Sequence, residues 1–183
     1  DLFNAISSLH QRVDGSYAVI ALIAGYGLLA FRDPFGIRPL ILGKRHSYSG
    51  ANEWIVASES LVLENGDYEI VRDVFPGEGI FIDTEGNIHS RQCSNNSQLV
   101  PCAFEYVYLA RPDSIMNGVS VYETRLKMGD LLAETIVKEF PTGDIDVVMP
   151  IPESSRPAAM QVAKSLGIEY REGFYKNRYI GRT

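Results

Sequence analysis

The chain has 183 residues, 45% of them hydrophobic and 22% charged, enough for one ordinary domain or two small ones. Its formal net charge is −6 with 17 basic residues spread along the chain, which speaks against binding nucleic acid through phosphates, a task that needs clustered Lys and Arg. No apolar run approaches the roughly 18 residues of a membrane span, and two cysteines, Cys93 and Cys102, are too few for a secreted disulfide framework. A reducing cytoplasm is the expected compartment. No signal peptide is visible. The first residue is Asp1 rather than Met, and Thr183 falls inside a polar, Gly-containing stretch, so a piece of a longer protein is expected.

Leu2, Phe3, Ile6, Leu9 and Val13 repeat at helical spacing and predict a helix over Leu2 to Val13. Asp14 to Ser16 is a turn. Two β-type runs follow, Tyr17 to Ile23 and Gly27 to Arg32, joined by a hairpin turn at Ala24-Gly25-Tyr26-Gly27. The turn-rich "DPFGIRP" (Asp33 to Pro39) precedes short strands at Leu40 to Gly43 and Glu53 to Ser58. A short helix over Glu59 to Asn65 and an alternating run over Tyr68 to Val74 come next. Pro76 to Ser90 reads as a hairpin around Glu85-Gly86-Asn87. The first ninety residues therefore predict antiparallel sheet with few helices.

The pattern changes at Arg91 to Pro101, which is polar and without period, a linker candidate. Cys102 to Ala110 reads as a strand. Val119 to Phe140 reads as a helix with an apolar face of Leu126, Met128-Gly129, Leu132, Ile136 and Phe140. "IDVVMPI" is a near-continuous apolar run of the kind found in parallel sheet. A helix over Ser155 to Leu166, stopped by Gly167, leads to a strand at Ile168 to Phe174. This half is a β-α-β-α-β pattern.

Ser154 and Ser155 sit where the apolar strand gives way to a helix. In open parallel sheets ligands bind beyond the carboxyl ends of strands, and a helix N-terminus there favours phosphate. Two small hydroxyls at such a place can bond phosphate, hold a metal-bound water, or cap the helix. Neither a Walker-type Gly-Lys-Ser/Thr nor a G-x-G-x-x-G accompanies them. "YKNRYIGRT" (Tyr175 to Thr183) gathers Lys176, Asn177, Arg178 and Arg182 around one glycine. It reads as a solvated loop or as a basic lid for an anion. Around Pro34 and Gly36, the charges of Arg32, Asp33 and Arg38 suit a rigid turn held by ion pairs and hydrogen bonds, a structural rather than a catalytic device.

Taken in order, "GLLAFRDPFGIRPLILGKR", "VASES", "RDVFPGEGIFI", "PCAFEYVYLARPDS", "DIDVVMPIPESS" and "REGFYKNRYIGRT" closely resemble the middle of the glutamine phosphoribosylpyrophosphate (PRPP) amidotransferase family. The resemblance covers essentially the whole chain. It implies an α+β fold followed by α/β. Residues 1–94 would be the later part of an N-terminal-nucleophile (αββα) glutaminase domain, and 95–101 a linker. Residues 102–183 would begin a type I phosphoribosyltransferase domain with a parallel sheet. It also implies the first committed step of de novo purine synthesis: glutamine, PRPP and water giving 5-phosphoribosylamine, glutamate and pyrophosphate. The alternatives are a non-catalytic paralogue and another glutamine-dependent transferase sharing the glutaminase domain.

The resemblance assigns roles residue by residue. Ser154 is tied to the Mg2+ that accompanies PRPP, and Ser155 offers a hydroxyl or N–H to phosphate. Lys176, Arg178, Tyr179 and Arg182 begin a loop that closes over PRPP and keeps water from competing with ammonia. Tyr108 is an interdomain coupling residue, with a packed core aromatic as its plainer reading. Cys102 falls at the position of one iron–sulfur ligand in some members. A cluster needs about four thiolates, this chain has two cysteines, and the wording of its motifs is that of the cluster-free branch. The nucleophilic cysteine would lie upstream and the paired PRPP-loop aspartates downstream, so these residues alone are expected to be inactive. A homotetramer, feedback inhibition by purine nucleotides, and no nucleic-acid or membrane partner complete the expectation.

Overall fold

The computed structural model describes residues 1–47, 50–140, 142–177 and 179–181. The chain divides into two units. One is formed by Asp1–Cys102 with Ile115–Gly118, the other by Ala103–Ser114 with Val119–Thr183.

In the first unit, Asp1 caps α1 (Leu2–His10) by accepting from the Phe3 N–H. The helix stops at His10, one turn short of the predicted Val13. Strands β1 (Ala18–Ile23) and β2 (Gly27–Arg32) form the predicted hairpin. Then come β3 (Ile41–His46), β4 (Asn52–Ala57), α2 (Ser60–Asn65), β5 (Glu69–Asp73), β6 (Glu78–Asp83) and β7 (Ile88–Gln92). They make two antiparallel sheets, ordered β1-β2-β6-β7 and β4-β3-β5. Gly27 has φ +146°, and a Cβ there would stand 2.0 Å from the Ile82 carbonyl oxygen, so only glycine lets β2 start against β6.

The period of two along β2 decides the layering. Ala30 faces inward with Leu40, Leu42, Val74, Ile80 and Ile82 in the core between the sheets. Leu29 and Phe31 face the other way, against Ile6 of α1 and Cys93. On the far side Gly43 of β3 lies so close to Leu63 of α2 that a Cβ would meet it at 2.5 Å. The order is helix, sheet, sheet, helix, the αββα arrangement expected. Leu63, Val74 and Ile80 are fully buried, each contributing about 1.5–3 kcal/mol through burial.

The "RDPFGIRP" turn is a hub of this unit. Arg32 and Asp33 are both fully buried. Arg32 donates to the carbonyls of Arg38, Val74 and Gly36. The Asp33 carboxylate accepts from the N–H groups of Phe35, Ile37 and Arg38. The turn is thus charged and hydrogen-bonded as predicted, and its two buried charges bond many backbone groups. Residues 95–101 carry no helix or strand, yet Gln98 and Val100 donate to the carbonyls of Pro34 and Phe35. Strand β8 (Ile115–Met116) belongs to this unit, with the Ile115 N–H donating to the Ser60 hydroxyl.

The second unit departs from the prediction at its start. Cys102 to Ala110 is not a strand: Ala103–Phe104 is helical and Glu105–Leu109 is a π-helical turn. Glu105, Tyr106 and Ala110 are buried while Val107, Tyr108 and Leu109 are exposed, a helical rather than an alternating burial pattern. The buried guanidinium of Arg125 takes the carbonyls of Tyr106 and Ala110, groups that a helix end leaves open.

After β9 (Val119–Ser120), α3 (Val121–Glu139) is capped by Ser120, whose hydroxyl accepts from the Glu123 N–H. Its buried stripe is Val121, Arg125, Gly129 and Ala133. The larger Leu132 and Phe140 of the predicted face are 50% and 60% exposed. A Cβ on Gly129 would stand 2.5 Å from the Ala158 carbonyl, so the crossing of α3 with α4 (Arg156–Leu166) admits only small side chains. Gly167, at φ +67°, ends α4 as predicted. Strand β10 (Val147–Val148) pairs in parallel with β11 (Glu169–Tyr170) across α4. Among the described residues, no helix is long and apolar enough to cross a membrane.

Candidate phosphate-side site at the start of α4

Strand β10 leaves the parallel pair at Val148, and Met149 to Ser155 lead into α4. The Pro152–Glu153 peptide is cis. Ser155 holds the N-cap position but has φ −82° and ψ −9°, a helical conformation rather than the extended one of a capping residue. Its hydroxyl donates back to the Ile151 carbonyl and accepts nothing from the first turn of α4. The half-buried Ser154 takes up no hydrogen bond with a described residue. Neither hydroxyl is used as a helix cap. Pro157 at the second position has no N–H to leave open.

The first residue of α4 carries a group that the sequence reading missed. Arg156 donates through Nη2 to Oε2 of Glu172 at 2.7 Å. Oε1 of the same carboxylate accepts from the Tyr170 hydroxyl at 3.1 Å. Burial is the main reason the Tyr170 hydroxyl is shifted upward, with the Glu172 bond adding to it. The Arg156 Nε is buried and finds no acceptor among the described residues. A cation in the first turn, where the helix dipole disfavours it, was the available sequence signal.

The other candidates stand apart from this turn. Lys176 and Tyr179 are exposed, and Tyr179 donates its N–H to the Asn177 side chain. No hydrogen bond joins either side chain to Ser154 or Ser155 among the described residues. Arg178 and Arg182 lie outside the described residues. Tyr108 is 39% exposed on the π-helical turn, its ring tilted against Phe104 at 5.4 Å, so it is not a packed strand aromatic. Cys93 is buried beneath α1, which pushes its thiol upward, and Cys102 is half-buried. Among the described residues no group of three or more His, Cys, Asp or Glu could hold a metal. Ser154 offers one hard oxygen, the donor type that hard divalent cations take.

No family model matches the chain. Among curated proteins it is 52% identical to the amidophosphoribosyltransferase of Pseudomonas aeruginosa, over 100% of this chain and 36% of that protein. The Escherichia coli and Saccharomyces cerevisiae amidophosphoribosyltransferases are 50% and 45% identical, again over 100% of this chain and 36% of theirs. Over its whole length the chain is similar to an internal segment of amidophosphoribosyltransferases. It spans about a third of the length of the relatives it matches. The fold agrees: glutamine PRPP amidotransferase from B. subtilis, complexed with ADP and GMP, superposes with a TM-score of 0.83 at 34% identity. That match covers 100% of this chain and 37% of the other. The structure of the allosteric regulatory enzyme of purine biosynthesis gives the same TM-score at 33% identity. The mixed α/β architecture of the chain is the one these two structures share.

Proposed function

We propose that the protein to which this chain belongs is a glutamine-dependent phosphoribosyltransferase. It releases ammonia from glutamine and adds it to PRPP, giving 5-phosphoribosylamine, glutamate and pyrophosphate, the first committed step of purine biosynthesis. The observation that carries this reading is the pair of hydroxyls at the carboxyl end of β10. They are placed where a helix would use a cap, and neither caps.

In this reading residues 1–94 belong to the glutaminase domain, 95–101 link the domains, and 102–183 open the phosphoribosyltransferase domain. PRPP arrives as its Mg2+ complex. Ser154 contacts the metal directly or through water, and Ser155 meets the pyrophosphate side, where the start of α4 favours negative charge. As the pyrophosphate leaves, charge grows on its oxygens, and a site that strengthens with that charge lowers the barrier. Lys176, Arg178, Tyr179 and Arg182 close over the ribose and exclude water, which would compete with ammonia. Tyr108 couples the two half-reactions. Cys102 is a small packed residue rather than a cluster ligand. Purine nucleotides are feedback inhibitors, the assembly is a homotetramer, and the compartment is the cytoplasm.

The test is PRPP- and Mg2+-dependent pyrophosphate release by the full-length parent with glutamine as donor, comparing wild type with Ser154→Ala. Activity that falls at least about tenfold with the substitution supports both the reaction and the metal-side role. Unchanged activity removes that role from Ser154. A wild type inactive with both glutamine and ammonia overturns the reaction.

A further inference from the structure

We propose that Arg156 is a positioning residue: its ion pair with Glu172 fixes the base of the segment leaving β11 against the start of α4, so that Lys176 and Tyr179 approach bound PRPP from a pre-set anchor. The inference rests on the PRPP reading above and concerns two residues to which that reading gives no role.

A cation at the first position of a helix faces the positive end of the dipole, so helix formation does not explain Arg156. Its partner does. Glu172 is held by Arg156 of α4 through one carboxylate oxygen and by Tyr170 of β11 through the other. The chain on either side of Glu172 is held independently. Arg171 extends the parallel ladder by donating its N–H to the Val148 carbonyl. Gly173 passes so close to Met149, the residue leaving β10, that a Cβ would meet its Sδ at 2.5 Å. Residues 171–177 are all exposed, so these contacts, rather than burial, hold the segment from Arg171 to Gly173. Among the described residues, the Arg156–Glu172 pair is the side-chain bond that joins α4 to it.

Fixing the base reduces the ordering that substrate binding must supply, so the effect belongs in the PRPP KM rather than in kcat. The experiment uses the full-length parent with ammonia as donor, which leaves the glutaminase out. The variants are Arg156→Glu, Glu172→Arg and the exchanged pair. Arg156→Glu places a carboxylate where the dipole favours it, so α4 itself is not weakened. Each single variant is expected to raise the PRPP KM roughly fivefold with kcat within about twofold, the scale of one partly exposed ion pair. The exchanged pair is expected to return KM to near the wild-type value. Single variants with unchanged KM, or an exchanged pair as impaired as the two singles combined, overturn the proposal. Amide hydrogen exchange over residues 171–177 needs no activity. Faster exchange in the single variants and recovery in the exchanged pair is the expected result, and equal exchange throughout overturns the anchor even if the wild type proves inactive with PRPP.

Discussion

Both η nitrogens of Arg32 donate to Oδ1 of Asn117, at 3.2 and 3.3 Å, across 85 positions of sequence. Asn117 has φ 50° and Gly118 φ 73°, the paired left-handed residues of a tight turn that Asn-Gly makes at low cost. The turn aims the Asn117 amide oxygen at a guanidinium already bound to three carbonyls. The Arg-Asp motif therefore acts by satisfying backbone groups around it. An arginine supplies the planar fan of donors this takes, which lysine lacks.

Arg32→Lys should for that reason destabilise the first unit by on the order of 3 kcal/mol, since several buried acceptors lose their donors together. Urea unfolding followed by Trp54 fluorescence checks this. A loss below about 0.5 kcal/mol would be the level of an ordinary surface substitution and would deny the hub.

Gly129→Ala sets two effects against each other. Alanine favours the helix by about 1 kcal/mol. The added methyl would stand 2.5 Å from the Ala158 carbonyl and 2.8 Å from the Gln161 Cβ. Overpacking of this kind costs about 1–3 kcal/mol. The net outcome is a lower Tm, and a still lower one for Gly129→Val. The Asp130 bonds to Gln161 and Ser165 should loosen with it, which side-chain NMR of Gln161 would report.

Asp83 is held down to about 2, first by its hydrogen bond with His89 and also by N–H groups of the β6–β7 turn. The sign follows from linkage: a depressed carboxylate stabilises the fold above its unfolded value of 3.8, and the contribution fades as pH falls toward about 2. Asp83→Asn should flatten the acid dependence of hairpin stability within that window. Hydrogen exchange of the Asn87 amide, which donates to Asp83, is the measurement. An equally steep dependence in the variant would count against it.

His10 shares a hydrogen bond with the Tyr17 hydroxyl and borders a cleft of about 640 Å3 with Ser7, Arg91 and Asn95. Burial lowers its proton affinity from the ordinary 6.5. The unfolded chain then binds the proton more readily, so stability is fully present above pH 6.5 and declines as pH falls through the folded value. His10→Gln should make stability less dependent on pH below 6.5, read as the urea midpoint across a pH series. An unchanged slope would show that other groups carry the acid sensitivity.

Much of the fold was legible because local rules and tertiary packing agree. The alternation along β2 and β6, the turn residues between strands, and Gly167 after α4 each demand what the fold supplies. Legibility failed where a distant group decides. Phe104, Tyr106 and Tyr108 alternate as a strand would, but Arg125 takes the carbonyls of Tyr106 and Ala110 and the segment coils. Leu132 and Phe140 look like parts of a core face, but of the predicted face it is Gly129, against the close approach of α4, that is buried, together with Ala133.

For the candidate site, the sequence by itself placed two hydroxyls between an apolar strand and a helix, and its motifs pointed to the amidotransferase family. Those are properties of neighbouring residues, and chain order is enough to reveal them. Only the tertiary structure decided that neither hydroxyl caps α4, that Arg156 reaches Glu172, and that Gly173 lies against Met149. Each depends on β10 and β11 meeting side by side with α4 between them, a juxtaposition that strand pairing and helix packing create and that no local spacing encodes.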